Sequence, residues 1–148
     1  MKRSFFYRIF KLGAFPLKLK PVLEAEEIIV SDEGMSGWLL ARDVKAPGKR
    51  FVRRAEGFLG CLAVTKKRLI CFSFRKCQMN ISLDDPGKLS KLYVNIPQDN
   101  VLSVSFDSSA FHEKWTGMLE FQFKTEKAGD FKRVLTEYGA RDLKQPGR

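Results

Sequence analysis

Histidine occurs once in the 148 residues, tryptophan twice and cysteine three times. Each scarcity excludes something. A structural zinc site takes about four Cys or His ligands at characteristic spacings, and Cys61, Cys71 and Cys77 with His112 do not form that pattern. No metal and no cofactor is expected. Long uncharged runs are missing too. The longest, Gly57–Thr65, is nine residues, against about 20 for a membrane-spanning helix. Arg8 and Lys11 interrupt the apolar stretch at the N-terminus and no small-residue cleavage site follows, so no secretory signal is read there. Glycine-rich phosphate loops, nucleophile elbows and zinc-binding helices are absent. His112 lies in the polar stretch Ser108–Lys114, and Asp84-Asp85 before Pro86-Gly87 reads as turn chemistry. No catalytic residue is assigned, and the chain is expected to be non-enzymatic.

What is present is apolar mass and positive charge. Hydrophobic residues make up 44% of the chain, with 13 phenylalanines, enough for a folded core. A chain of this length suits one domain, which buries about two-thirds of its unfolded surface. Net charge is +10, unevenly spread. The first 20 residues hold Lys2, Arg3, Arg8, Lys11, Lys18 and Lys20 and no acid, leaving +4 for the other 128. A basic head on a near-neutral body favours an anionic surface, either membrane headgroups or nucleic acid.

Periodicity divides the chain. Residues 4–13 read as a short helix, with Phe5, Phe6, Ile9, Phe10 and Leu12 on one arc at about 100° per residue. Pro16 and Pro21 end it and make Leu17–Lys20 an extended linker. From Glu24 the pattern turns strand-like, with strands expected near Ala25–Ser31, Met35–Asp43, Gly57–Thr65, Arg68–Phe74, Lys91–Ile96, Val101–Asp107 and Gly117–Thr125. Val44–Glu56 and Arg75–Ser90 read as loops, the second with an optional short strand at Met79–Leu83. A closing helix follows. Asp130 is its expected N-cap, Phe131, Val134, Leu135 and Tyr138 form its apolar face, and Gly139 stops it. The expected division is a basic N-terminal segment over 1–20, one domain over 21–140 and a polar tail over 141–148.

With a turn at Lys66–Lys67, Leu62 faces Cys71 while Cys61 faces Phe72 on the other side of the hairpin. The two cysteines cannot bridge. All three are read as reduced thiols, which points to the cytosol.

The run Gly60-Cys61-Leu62-Ala63-Val64-Thr65-Lys66-Lys67-Arg68-Leu69-Ile70 resembles the central hairpin of GRAM-type and bacterial pleckstrin-homology-like domains, with their Gly-x-Leu-x-Val-Thr-x-x-Arg-Leu-Ile signature. The resemblance covers roughly Glu24–Gly139. It implies a mainly β fold, a seven-stranded, strongly bent antiparallel barrel or sandwich closed by the C-terminal amphipathic helix, here with a short N-terminal helix added. It also implies an anionic-lipid site built from Lys and Arg of the first hairpin loop. On the strand assignment above that loop is the acidic Ser31-Asp32-Glu33-Gly34.

Function is therefore expected from basic surfaces. Lys2, Arg3, Phe5, Phe6, Arg8 and Lys11 form an interfacial anchor or, equally, the helix packs on the barrel with Phe5, Phe6, Ile9 and Phe10 in the core. Lys45, Lys49, Arg50, Arg53 and Arg54 in the Val44–Glu56 loop, with Lys66 and Lys67 at the hairpin tip, make one anion-binding face if loop and tip converge, and solvated turns if they do not. The leading expectation is peripheral attachment to an anionic membrane at its inner, cytoplasmic face. The second is a protein-interaction module that takes a partner segment at a sheet edge or groove. Nucleic-acid binding ranks third, because no recognised motif accompanies the charge. Trp38 and Trp115 are read as packing or rim residues.

Overall fold

The computed structural model describes residues 14–73, 76–110 and 113–142. The helix expected over 4–13 and the tail beyond Asp142 lie outside them. The Pro16 carbonyl accepts hydrogen bonds from the backbone N–H groups of Leu19 (2.9 Å) and Lys20 (3.3 Å), turning the chain directly into α1, Lys20–Ala25. The extended linker expected at Leu17–Lys20 is thus a turn. Pro21 stands in the first turn of α1, where its missing N–H has no intrahelical acceptor to lose and its fixed φ suits the helix. Phe15, Leu19 and Leu23 pack on Cys61, Ala63, Ile70 and Phe72, with the Phe15 and Phe72 rings edge to face at 6.4 Å. Phe15 and Leu19 therefore belong to the folded body, although they precede residue 20.

The strand expected from Ala25 starts at Ile28, after α1 ends, and does not stop at Ser31. β1 runs unbroken from Ile28 to Ala46. Its register on β2, Lys49–Thr65, passes from Asp32 opposite Leu62 to Met35 opposite Gly60, so β1 holds one extra residue there. The polar Ser31–Gly34 segment is a bulge within one strand, not a hairpin loop. Gly34 absorbs it at φ 69°. The expected loop Val44–Glu56 is a correction of the same kind. It forms the distal arms of the β1–β2 hairpin, paired from Leu39–Glu56 to Ala46–Lys49 and closed by Pro47-Gly48.

β3 (Arg68–Ser73) and β4 (Lys76–Ser82) follow. A one-turn helix α2, Pro86–Leu89, leads to β5 (Tyr93–Gln98), β6 (Val101–Asp107) and β7 (Thr116–Lys124). After α3, Ala128–Tyr138, the short β8 (Arg141–Asp142) pairs parallel with β5. The order across the sheet is β4-β3-β2-β1-β7-β6-β5-β8. Eight strands replace the seven expected, because two fuse into β1 while β4 and β8 are added. The Cys61–Phe72 and Leu62–Cys71 pairings are as read from the sequence, and the three cysteines are free.

The sheet curls strongly into a half-barrel. Inward-facing residues of β1 to β7 and the apolar face of α3 form one core. In it Phe58 meets the Phe121 and Phe123 rings at 6.2 and 5.5 Å. Phe131, Val134 and Leu135 are buried and Tyr138 is half-buried against the same cluster. Asp130 is not the N-cap: the helix starts at Ala128, one turn earlier, with Lys127 at the cap position and Asp130 in the first turn. There Asp130 is still well placed, since negative charge suits a helix N-terminus. Gly139, at φ 123°, ends the helix as expected, with Ala140 N–H donating to the Leu135 carbonyl at 3.0 Å.

Two outcomes follow. Leu135→Ala removes a fully buried side chain and should lower unfolding free energy by about 2–5 kcal/mol in chemical denaturation. Alkylation of the native protein should reach the exposed Cys77 and spare Cys61 and Cys71, which are buried and whose thiols burial pushes up. Intact mass after unfolding should show three alkylated thiols and no two-unit deficit.

Candidate anion-binding surface

Six cations and one carboxylate, Asp43, lie between Ala41 and Ala55. The fused β1 and lengthened β2 place them on strand rungs. Arg42 stands opposite Arg53 and Lys45 opposite Arg50, while Arg54 stands opposite Ala41 and Lys49 opposite Ala46. Directly opposed residues share a face, with Cβ atoms about 4.5–5.5 Å apart. Arg42, Lys45, Arg50, Arg53 and Arg54 are all exposed. Arg54 reaches Glu56 at 3.7 Å, an exposed pair of little energetic worth. Among the described residues Arg42, Lys45, Arg50 and Arg53 have no ion-pair partner. Val52, between them, is 68% exposed. Like charges face one another across two rungs, which destabilises a hairpin unless a counter-charge arrives.

Arg42 was not singled out from the sequence, because it lay inside an expected strand. Its position on the outward face of an alternating strand was the available signal.

The hairpin tip is elsewhere. Lys66 and Lys67 join β2 to β3, at the end of β2 remote from Lys49, on the order of 50 Å away along the strand at about 3.3 Å per residue. Loop and tip do not converge, and two of the tip's three cations are already paired. Lys66 pairs with Glu27, and Arg68 with Glu26 through both Nε and Nη2. Lys66 N–H also donates to the Glu26 and Glu27 carbonyls, tying the tip to the end of α1. Lys20 pairs with Glu33 of the bulge at 3.6 Å. Lys2, Arg3, Phe5, Phe6, Arg8 and Lys11 lie outside the described residues, as does His112.

Asp85 Oδ1 accepts the Lys88 N–H at 3.1 Å and starts α2, the turn chemistry expected. Among the described residues no cluster of three or more His, Cys, Asp or Glu is placed to hold a metal, and no helix is long and apolar enough to cross a membrane. Trp38 is 54% exposed, a rim residue. Trp115 packs partly buried against the main core.

Glu26 is the buried acid of this arrangement. Burial raises its pKa, but hydrogen bonds from Arg68 and Thr65, with the charges of Arg68 and Lys67, outweigh burial and hold it below its ordinary value. A carboxyl whose folded pKa is depressed stabilises the fold above its unfolded value, about 4.3, and loses that contribution as pH falls through the folded value. Denaturation midpoints measured from about pH 6 to about pH 3 should therefore fall less steeply in Glu26→Gln than in the wild type. No family model and no curated protein matches this chain.

Proposed function

We propose that this chain is a non-enzymatic, pleckstrin-homology-like binding module that attaches peripherally to an anionic membrane surface through its β1–β2 hairpin. One observation carries the reading: the two opposed, unpaired cation rungs Arg42–Arg53 and Lys45–Arg50. Self-repulsion across them is relieved by a dense anionic surface, and each cation brought to such a leaflet contributes about 1 kcal/mol before salt screening. The continuity of β1 supports the reading further. The first hairpin loop is the basic Ala46–Lys49 turn and not the acidic Ser31–Gly34 segment, which accords with the site the resemblance implies. The curled sheet with its C-terminal helix supports a barrel of that kind. The free cysteines support a cytoplasmic face for the module.

A second reading has its own observation. β4 ends the sheet, and among the described residues no strand pairs with its outer edge, so a partner segment could add there as a further strand.

Sedimentation with anionic and neutral vesicles at low and high salt tests the first reading. The wild type should bind anionic vesicles in low salt and release in high salt. Arg53→Glu places a carboxylate opposite Arg42, so it should leave stability unchanged or raise it by about 0.2–1 kcal/mol. Its vesicle binding should nevertheless fall severalfold, and further when combined with Arg50→Glu. Lys67→Glu, at the remote tip, should bind as the wild type does. Equal binding by wild type and the double variant would overturn the hairpin reading and favour the β4 edge.

A further inference from the structure

On the face of the sheet turned away from α3, a groove of about 1090 Å³ runs over β5, β6, β7 and β1. Its floor is built from small side chains of β6, Ser103 and Ser105, which are only 4% and 8% exposed. The register puts Glu120 of β7 on one side of Ser105 and Tyr93 of β5 on the other. The Ser103 hydroxyl donates to Glu120 Oε2 at 2.7 Å, and the Gln122 amide donates to the same oxygen at 2.8 Å. Both bonds fall on one oxygen. Among the described residues Glu120 Oε1 has no donor and Glu120 pairs with no cation. The Ser105 hydroxyl, on the same rung, opens into the groove and has no hydrogen-bond partner among them either.

A carboxylate oxygen and a hydroxyl that line one groove side by side, without protein partners, leave an acceptor pair open to a ligand's donor. The rim carries the opposite sign. Arg141 lies with its guanidinium 6.0 Å from the centre of the Tyr93 ring, and exposed Arg42, without an ion-pair partner, lines the far wall. A simple anion entering the groove meets Glu120, and a simple cation meets the arginines. A bipolar ligand meets neither repulsion if its cationic end goes in first.

We propose that this groove binds a small zwitterion, whose ammonium donates to Glu120 Oε1 and Ser105 Oγ while its oxyanion is held at the rim by Arg42 and Arg141. The site is centred on Ser105 of β6 and Glu120 of β7, away from the Lys45–Arg50 rung, and does not depend on the membrane reading. Arg42 is the one residue the two share, so the variants below leave it intact.

The test titrates the intact protein calorimetrically with O-phosphoethanolamine and, separately, with ethanolamine and with inorganic phosphate. Phosphoethanolamine should bind at least about tenfold more tightly than either fragment, since a charge-assisted hydrogen bond to a half-buried carboxylate adds that much. E120Q keeps an acceptor for Ser103 and Gln122 but loses the charge, and should abolish the preference while leaving the melting temperature near the wild-type value. S105A, a smaller perturbation of the fold, should weaken it. Neutral vesicles containing phosphatidylethanolamine identify the source. Glu120-dependent binding to those vesicles but not to the soluble compound assigns a lipid headgroup, and binding to both assigns the free zwitterion as well. Phosphate binding as tightly as phosphoethanolamine, a preference that survives E120Q, or no binding by either source would overturn the proposal.

Discussion

β1 is hydrogen-bonded along both edges, to β2 from Ile28 to Ala46 and to β7 from Gly37 to Lys45. One strand thereby joins the two halves of the sheet by hydrogen bonds, while side chains of both halves and of α3 meet in one core. The main core depends on that double pairing. The strand must be long enough to reach both partners and bent enough to curl them around one core. The register shifts at Ile28–Val30, Asp32–Met35 and Arg42–Lys45 supply bends, since bulges increase local twist. Pairing on both sides restrains the strand while those bends curl the sheet, so that Phe58, Phe121 and Phe123 meet in the interior.

The same construction sorts the charge. At the Lys66–Lys67 end, Glu26 and Glu27 at the close of α1 lie against the turn, and Lys66 and Arg68 are paired there. At the Pro47-Gly48 end Asp43 is the single acid among six cations, and among the described residues Arg42, Lys45, Arg50 and Arg53 have no ion-pair partner. A paired positive end and an unpaired one on a single strand make an oriented molecule. The field of the unpaired end is what an approaching polyanion would sense first. The outer face of β5 to β7 is different in kind. There the charges are radially arranged, with the carboxylate in the floor and guanidinium groups at the rim, which suits a short-range contact with a bipolar group rather than long-range steering.

α1 explains why the outer face of β2 and β3 could be apolar. Cys61, Ala63 and Ile70 point away from the main core, yet they are buried because Phe15, Leu19 and Leu23 cover them. A two-layer unit on one side and the main core on the other make the central hairpin buried on both faces. That is why Gly57–Thr65 carries no charge and reads as a near-continuous apolar run instead of an alternating one.

The residues alone determined the central hairpin, its register and the free cysteines, because a two-residue turn between β-rich arms leaves only one pairing for Leu62 and Cys71. They also determined β5 to β7 and the face of the closing helix, where clean alternation or a 3.6-residue period is a local property of side chains. The course of β1 was not legible. Ser31-Asp32-Glu33-Gly34 has the same composition whether it reverses the chain or bulges from it, and only the continued pairing of both flanks with β2 decides. The charged stretch Val44–Glu56 likewise lacks an apolar period, so its strands exist only through cross-strand hydrogen bonds. Pro21 reads as a breaker from one side and as a helix start from the other, and burial of Leu23 chooses. The basic cluster was therefore visible as composition, while its arrangement as opposed rungs was a matter of tertiary pairing. The Ser105–Glu120 groove had no sequence signal at all, because its residues lie on separate strands and small polar side chains on an outward face carry no periodic mark.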